Sequence, residues 1–254
     1  MRQSERHRSI LKMLSQTPHA SVAELSDALG ASVATIRRDL NALSDAGALR
    51  RTHGGAEPIE RRDRLHGTPF SRNVGINVAQ KRAIARMAAS LCADNDAIIL
   101  DAGSTTFMMC EYLRGRSLQV LTNSLPIVQE LLPDPDIRLH VPGGEVYREQ
   151  NIILSPFENN GVNRYNASKM FVGAAAITSR GLLQSDSILV QAEQRLMARA
   201  DEVIVVADNS KFRSDAALVL CELDRLHTVV TDGGINHADR QMLIDAGVSL
   251  LIAE

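Results

Sequence analysis

The chain has 254 residues, of which 44% are hydrophobic and 23% charged, and its formal net charge is −2. This is the composition of one or two globular domains and excludes a disordered or fibrous protein. No apolar run is long enough to cross a bilayer, and the polar N-terminus is unlike a secretory signal, so we expect a cytoplasmic protein. Three scattered cysteines, Cys92, Cys110 and Cys221, indicate reduced thiols rather than disulfides or a metal site.

The charge is unevenly distributed along the chain. Residues 1–64 contain 11 Lys and Arg against 8 Asp and Glu, whereas residues 65–254 contain 17 against 22. A charged stretch with two prolines and no apolar period, residues 56–69, lies near the boundary and predicts a linker. We therefore expect an N-terminal domain, a linker and a C-terminal domain over residues 1–57, 58–79 and 80–254.

The N-terminal residues begin with two predicted helices. The first covers about residues 4–16, and Pro18 follows it. Ser21 and Glu24 have the spacing of a capping box, in which each residue satisfies a backbone N–H of the other. Gly30 ends this second helix, because glycine readily adopts the left-handed conformation of a C-terminal cap.

The third predicted helix has an apolar face and a cationic face. Ser32 caps its N-terminus, and Gly47 ends it. Helical spacing predicts a buried stripe formed by Val33, Ile36, Leu40 and Leu43. The opposite face carries Ala34, Arg37, Arg38 and Asn41. Two short helices joined by a glycine-containing turn, the second one basic on its outer face, predict a helix-turn-helix that enters the DNA major groove.

A short basic strand that turns at two glycines follows, over residues 48–56. This pattern predicts a wing, since such a hairpin places cations against DNA phosphates. A basic helix face often only solvates a helix, and Arg38 and Asp39 are alternatively paired with each other or used to brace the fold. The combination of motifs favours DNA binding. The predicted DNA-binding residues are Ser32, Thr35, Arg37, Arg38, Asn41, Arg50, Arg51, Thr52 and His53.

Helical patterns alternate with short β-branched runs from about residue 80 onward. Seven runs predict strands at residues 97–100, 118–121, 137–141, 169–172, 203–206, 227–230 and 248–252. Intervening stretches predict helices at residues 81–91, 107–113, 126–132, 188–199 and 238–246. This alternation predicts an α/β domain with a mainly parallel sheet covered by helices.

Polar residues and glycines follow several of these strands, where parallel sheets form their ligand crevices. The loop from Asp101 to Thr106 combines Gly103 with three hydroxyls and the N–H groups of a helix N-terminus, which favours anion binding. Lys211, which follows another strand, places a cation near the same crevice. Ordinary turns and a solvated lysine produce similar patterns, and both alternatives remain open.

Two motifs resemble the DeoR family of bacterial transcriptional regulators. They are Thr35-Ile36-Arg37-Arg38-Asp39-Leu40 in the third helix and Arg51-Thr52-His53-Gly54-Gly55-Ala56 in the wing. The resemblance covers nearly the whole chain. It implies a winged helix-turn-helix followed by a sensor domain similar to ribose-5-phosphate isomerase, which binds a phosphorylated sugar or polyol. The effector-binding residues it implies are Lys81, Asp101, Gly103, Ser104, Thr105, Thr106, Thr122, Asn123, Gly143, Gly144, Asp186, Glu193, Asp208 and Lys211.

The resemblance also implies how such a site would hold its effector. A phosphate would bind at the loop of residues 104–106 near Lys211, while Asp186 and Glu193 would accept hydrogen bonds from sugar hydroxyls. The segment Ala192-Glu193-Gln194 is similar to the branch of the family that represses L-ascorbate utilisation, which favours a sugar-acid phosphate. Arg195 replaces a lysine that is common in the family.

Together these features predict a repressor of a carbohydrate-utilisation operon, released by a phosphorylated sugar and active as a homodimer or homotetramer on operator DNA. Activation instead of repression is an alternative. A second alternative is a sugar-phosphate isomerase with an accessory DNA-binding module, in which Asp186, Glu193 and Lys211 act as acid, base and clamp. A third is a protein whose helix-turn-helix only mediates dimerisation. We expect no enzyme activity, cofactor, metal or membrane association.

Overall fold

The computed structural model describes residues 3–14, 17, 19–45, 48–58, 70–155 and 161–254. The chain divides into two compact units, residues 1–68 and 69–254. Each unit has a hydrophobic core of its own. Within the described ranges, no helix combines the length and the apolar character needed to cross a membrane.

The first unit packs three helices against a small antiparallel sheet. Its elements are α1 (Gln3–Leu14), β1 (Ala20–Ser21), α2 (Val22–Leu29), α3 (Val33–Asp45), β2 (Leu49–Thr52) and β3 (Gly55–Pro58). The strands pair in the order β1-β3-β2, and β2 and β3 form an antiparallel hairpin. All three helices and the hairpin contribute side chains to one core, so the unit has the architecture of a winged helix-turn-helix.

Local hydrogen bonds fix the start of α2 as the sequence predicts. The Ser21 hydroxyl accepts a hydrogen bond from the N–H of Glu24 at 3.2 Å, and the Glu24 carboxylate accepts one from the N–H of Ser21 at 2.7 Å. The capping box is therefore confirmed. Gly30 ends α2 with φ at +59°, which confirms its role as the C-terminal cap. Pro18 lies outside the described residues.

The predicted cap of α3 is confirmed, whereas one residue of its apolar stripe is wrong. The Ser32 hydroxyl accepts a hydrogen bond from the N–H of Thr35 at 3.2 Å. Val33 is 43% exposed, although the pattern predicts it to be buried. At 100° per residue, Val33 and Asp39 lie on opposite flanks of the stripe, and the buried arc is displaced toward Asp39. The remaining stripe residues are buried, namely Ile36, Leu40 and Leu43. Gly47 lies outside the described residues.

The second unit contains twelve further strands among its described residues. They are β4 (Ala97–Leu100), β5 (Leu118–Leu121), β6 (Ile137–His140), β7 (Glu145–Tyr147), β8 (Ile152–Leu154), β9 (Ala167–Val172), β10 (Ala176–Thr178), β11 (Gly181–Gln184), β12 (Ala200–Val206), β13 (Leu218–Cys221), β14 (Thr228–Asp232) and β15 (Ser249–Ala253). Seven of them form a sheet in the order β15-β14-β12-β9-β4-β5-β6. Every pair in this sheet is parallel.

Helices accompany this sheet. They are α4 (Phe70–Asn73), α5 (Val78–Ser90), α6 (Ser104–Leu113), α7 (Leu125–Leu131), α8 (Ser187–Met197) and α9 (His237–Asp245). The five helices and seven strands that the sequence predicts here are confirmed, with ends shifted by up to three residues. The structure adds α4, the β7-β8 ribbon and a small antiparallel sheet of order β10-β11-β13, none of which is predicted.

The order of the central strands reverses direction between β4 and β9. From β4 the chain proceeds through β5 to β6 on one side, whereas β9, β12, β14 and β15 extend the sheet on the other side. In open parallel sheets, ligands bind beyond the carboxyl ends of the strands at such a reversal. The loop that follows β4 therefore lies where this kind of sheet binds ligands.

The three cysteines are free thiols, as expected. Cys92 and Cys110 are buried in the core, whereas Cys221 is partly exposed. Burial raises the pKa of Cys110 to about 12 and that of Cys92 to about 11. Since the thiolate is the reactive form, these two cysteines are structural residues.

Candidate nucleic-acid interface and effector site

The outer face of α3 presents an exposed cationic strip. Ala34, Arg37, Arg38 and Asn41 are all exposed. The exposed methyl groups of Val33 flank the strip, one helical turn before Arg37. The sequence missed Val33 because its spacing also fits the buried stripe. The face thus offers guanidinium and amide groups together with small apolar groups, which is the mixture that reads base edges in a major groove.

The hydroxyls at the start of α3 are partly committed to the helix itself. The Ser32 hydroxyl caps the N–H of Thr35 and also lies 2.9 Å from the Thr35 hydroxyl. Ser32 remains exposed and Thr35 is half-buried. These groups lie at the N-terminus of α3, where the N–H groups of a helix favour an anion.

Asp39 has a structural role beneath this strip. It is 2% exposed, and its carboxylate accepts hydrogen bonds from Arg6 Nε at 2.5 Å and Arg6 Nη2 at 3.1 Å. His7 Nε2 lies 3.0 Å from the same carboxylate. Burial raises the pKa of Asp39, but the hydrogen bonds from Arg6 and His7 outweigh burial and lower it. Of the alternatives that the sequence left open, Asp39 therefore braces α3 against α1.

The hairpin places its turn in solvent and its arginines closer to the protein. His53 and Gly54 are exposed, and Gly54 has φ at +99°. Arg50 Nη1 lies 3.7 Å from Glu57 Oε2 on the neighbouring strand. The Thr52 hydroxyl lies 3.1 Å from His19 Nε2. The wing therefore offers His53 directly, while Arg50 and Thr52 also have partners within the unit.

The loop that follows β4 is buried at the strand-order reversal. Asp101 is 3% exposed, and the three hydroxyl residues of the loop, Ser104, Thr105 and Thr106, are also buried. The Thr106 hydroxyl donates to the carbonyl oxygen of Gly103 at 2.9 Å, so it stabilises the turn. Gly103 has an extended backbone. Residues 104–106 form the first turn of α6, and the N–H groups of a first turn lack partners within the helix and favour an anion.

A group of carboxylates lies beside Asp101. Burial raises the pKa of Asp101 to about 7. Burial and the negative charge of Asp101 raise the pKa of Glu193, against the effect of a hydrogen bond donated by Gln184 Nε2 to Glu193 Oε1 at 2.8 Å. Asp186 also contributes negative charge here, and its carboxylate accepts from the Tyr147 hydroxyl at 2.8 Å. The structure therefore brings three predicted carboxylates together.

Glu193 Oε2 is buried without a hydrogen-bond partner among the described residues. A buried acceptor of this kind is costly, and a hydroxyl donor would relieve the cost. Gln184 and Tyr147 belong to this cluster although the sequence did not single them out. The feature that marks both residues is their position at the end of a strand, since Gln184 ends β11 and Tyr147 ends β7.

Two lysines form the cationic part of the site. Lys81 on α5 is 1% exposed, and Lys211 is partly exposed in the turn after β12. Burial, the largest cause, and the charge of Lys211 outweigh the opposing charge of Asp208 and together lower the pKa of Lys81 to about 8. Burial also lowers the pKa of Lys211, against the charge of Asp208. The structure therefore brings Lys81, Asp208 and Lys211 into one electrostatic group.

Other predicted effector residues are more peripheral. The Thr122 hydroxyl accepts from the N–H of Ser124 at 3.1 Å. Gly143 and Gly144 are exposed, and a Cβ at Gly144 would collide with the carbonyl oxygen of Leu154, so the ribbon itself requires this glycine. A small pocket, open to solvent, is lined by Asn123, Pro142, Ile153, Ser155, Val162, Ala192, Arg195 and Leu196.

Comparisons with known proteins identify the class of regulator. The DeoR-like helix-turn-helix domain matches residues 6–62, and the DeoR C terminal sensor domain matches residues 76–233. The chain therefore belongs to the DeoR family of transcriptional regulators. This confirms the resemblance drawn from the two sequence motifs.

The chain is similar over its whole length to HTH-type transcriptional regulator UlaR. It is 30% identical over 251 residues to UlaR of Shigella dysenteriae serotype 1 (strain Sd197), with 99% of each chain covered. UlaR of Escherichia coli (strain K12 / DH10B) gives the same identity and coverage. The names of these relatives describe transcriptional regulators, in agreement with the regulatory function that the sequence predicts.

Solved structures also resemble part of the chain. Ribose 5-phosphate isomerase a from Methanocaldococcus jannaschii is 20% identical, with 53% of this chain and 54% of that chain covered, at a TM-score of 0.40. eIF2B beta from Chaetomium thermophilum is 14% identical, with 60% and 48% covered, at a TM-score of 0.42.

Proposed function

We propose that this DeoR-family regulator represses a carbohydrate-utilisation operon in the cytoplasm and leaves its operator when a phosphorylated sugar or sugar acid binds. The observation that carries the proposal is the exposed cationic strip on α3. The strip lies on α3, the second helix of the helix-turn-helix. On the buried side of α3, Asp39 anchors this helix to α1. Such a helix is suited to a major groove.

Each part of this surface has a distinct task on DNA. Arg37 donates to a guanine edge, and Ala34 and Val33 contact thymine methyl groups. His53 and Arg51 in the hairpin contact phosphates, which position the protein without reading sequence. Two copies of the chain, as a homodimer or within a homotetramer, place two such helices on the half-sites of a pseudo-palindromic operator.

The buried groups of the second unit support an effector with an anionic end and several hydroxyls. The N-terminal turn of α6 and Lys211 bind the phosphate. Asp186 and Glu193 accept hydrogen bonds from hydroxyls, and a hydroxyl donor satisfies Glu193 Oε2. The resemblance of Ala192-Glu193-Gln194 to the branch of the family that represses L-ascorbate utilisation favours a sugar acid over a neutral sugar, with Arg195 as the additional cation.

One series of experiments tests this function. The full-length protein selects duplexes from a random pool, and binding of the selected duplex is measured at several salt concentrations. We expect affinity to fall steeply as salt rises, because the protein releases counterions from phosphates. A panel of pentose, hexose and sugar-acid phosphates is then added, and at least one member should weaken DNA binding and raise the thermal stability of the protein.

Three results would contradict the proposal. Failure to bind or enrich any duplex at low salt would leave the helix-turn-helix without its assigned role. Conversion of one sugar phosphate into an isomer during the same incubations would instead indicate an enzyme, since a sensor leaves its ligand unchanged. A rise in DNA affinity on addition of a phosphate would indicate activation in place of repression.

A further inference from the structure

Residues 70–77, which we call the lead-in segment, are the first described residues of the second unit. They comprise α4 and the turn into α5. Chain continuity alone therefore makes this segment the route from the sensor to the DNA-binding unit. The sequence placed these residues within the predicted linker, residues 58–79, and gave them no role in binding DNA or effector.

Lys81 holds the lead-in segment by its backbone. Lys81 Nζ donates to the carbonyl oxygen of Asn73 at 2.5 Å and lies 3.3 Å from Asn73 Oδ1. The same carbonyl accepts the N–H of Ile76 at 3.2 Å, so it stabilises the turn as well. Because Lys81 is 1% exposed, its ammonium group has no access to solvent in this arrangement. An anion that binds Lys81 competes with the Asn73 carbonyl for this ammonium group.

Asp208 holds the other end of the segment. Asn77 Nδ2 donates to Asp208 Oδ1 at 3.0 Å. Asn77 has φ at +51°, a left-handed conformation that asparagine tolerates better than most residues. Asp208 also caps the turn that carries Lys211, since Asp208 Oδ1 accepts the N–H of Ser210 at 3.1 Å. One carboxylate thus joins the segment to the turn of Lys211.

A third contact joins the segment to the loop that follows β4. The ring of Phe70 packs edge-on against that of Phe107, with centroids 5.5 Å apart. Phe107 lies in α6 immediately after the three hydroxyl residues of the loop. The three contacts therefore lead to Lys81, to the turn that carries Lys211 and to α6, and we assign Lys211 and the N-terminal turn of α6 to the phosphate of the effector.

We propose that Asn73, Asn77, Lys81 and Asp208 form a latch that the phosphate of the effector opens. This inference rests on the proposed function. A phosphate beside Lys211 attracts the Lys81 ammonium away from the Asn73 carbonyl, because a charged acceptor forms a stronger hydrogen bond than a neutral one. The same negative charge repels Asp208 and weakens its bond to Asn77. The closed latch belongs to the state that binds DNA, and the open latch releases it.

Hydrogen–deuterium exchange on the full-length protein tests the latch. The probes are inorganic phosphate and the same panel of sugar phosphates. We expect a phosphate to slow exchange in residues 101–106 and 208–211 and to speed it in residues 70–77. Slower exchange at the two loops with no change in residues 70–77 would overturn the latch and leave the proposed function intact. No protection by any phosphate would contradict the proposed effector class itself.

A variant tests the latch without any ligand. Asn77→Gly removes the bond to Asp208 and keeps the positive φ. We expect faster exchange in residues 70–77 and a DNA affinity about fivefold to tenfold lower than in the unmodified chain. Asn95→Gly is the matched control, because Asn95 is an exposed asparagine with φ at +69°. If the two variants behave alike, the latch is wrong. Unchanged exchange in β4 and β12 verifies that both variants are folded.

Discussion

The charged residues to which we assign a function lie in opposite environments in the two units. In the first unit, Arg37 and Arg38 are exposed on a helix whose buried side is braced by Asp39. In the second unit, Lys81, Asp101 and Glu193 are buried, and their pKa values are shifted by burial. The difference suits the two ligands that we propose. A duplex is a large polyanion that attracts exposed cations over a distance, whereas a small effector is recognised by groups withdrawn from water.

The largest expected effect concerns the brace beneath the exposed surface. Asp39→Ala should lower the free energy of unfolding of the first unit by about 3 kcal/mol, since it leaves the Arg6 guanidinium without its buried partner. Urea unfolding measures the effect. Asp45→Ala is the control, because Asp45 is an exposed carboxylate on the same helix. Equal stability of the two variants would show that Asp39 does not brace α3.

Asp39 illustrates what the sequence could and could not predict in the first unit. The Ser21–Glu24 capping box, the Gly30 cap and the cationic strip depend on residues within a few positions of one another, and all are visible as patterns. The partner of Asp39 lies 33 residues away, and no periodicity indicates such a pair. The same shift of the buried arc toward Asp39 makes the prediction for Val33 wrong.

In the second unit, too, the sequence predicts some features and misses others. Strands buried on both faces, such as Ala97–Leu100 and Val203–Val206, are continuous apolar runs rich in Ile and Val and are easily predicted. The short antiparallel strands β7, β8, β10, β11 and β13 lack that signal. The order of the strands was not predicted either, although it places the loop of Asp101 at the crevice. The bond between Asn77 and Asp208 spans 131 residues, so only the fold reveals it.

The next prediction tests whether the exposed strip on α3 binds DNA. Arg37→Ala should weaken binding of the selected duplex by about 1–3 kcal/mol and relax sequence preference at one base position, as expected for a contact to a base edge. Fluorescence anisotropy measures both. Arg138→Ala is the control, since Arg138 is an exposed arginine of the second unit. Binding by the Arg37 variant that equals the unmodified chain would remove Arg37 from the interface.

A smaller effect is expected from the buried carboxylates. The pKa of Asp101 is raised from 3.8 to about 7, so protonated Asp101 stabilises the fold below pH 3.8, and this contribution is lost as the pH rises through 7. Asp101→Asn removes the burial cost of the charge. The variant should therefore exceed the unmodified chain in stability by about 2 kcal/mol at pH 8, with a smaller gain at pH 5.

Thermal unfolding at the two pH values measures this difference. Asp94→Asn is the matched control, since the Asp94 side chain is 69% exposed. We expect that variant to differ little from the unmodified chain at either pH. A gain for Asp101→Asn that is the same at pH 5 and pH 8 would mean that Asp101 does not titrate between them.

The smallest expected effect distinguishes the two lysines of the buried site. Burial lowers the pKa of Lys81 to about 8, so Lys81 loses its charge as the pH rises from 7.5 to 9.5. A phosphate ester keeps its charge over this range, because its second pKa is about 6. The affinity of the protein for the ester should therefore fall about threefold to tenfold, because one cationic partner is neutralised. Titration calorimetry measures this change.

Lys81→Met attributes this pH dependence to a residue. The variant should bind the ester more weakly at pH 7.5 and lose less affinity on going to pH 9.5, because the remaining change comes from Lys211 alone. If the variant keeps the full pH dependence, Lys211 carries the titration and Lys81 does not reach the phosphate. The second unit would then bind phosphate through an accessible cation, as we propose for the first unit and DNA. Only the buried carboxylates would still distinguish the charges of the two units.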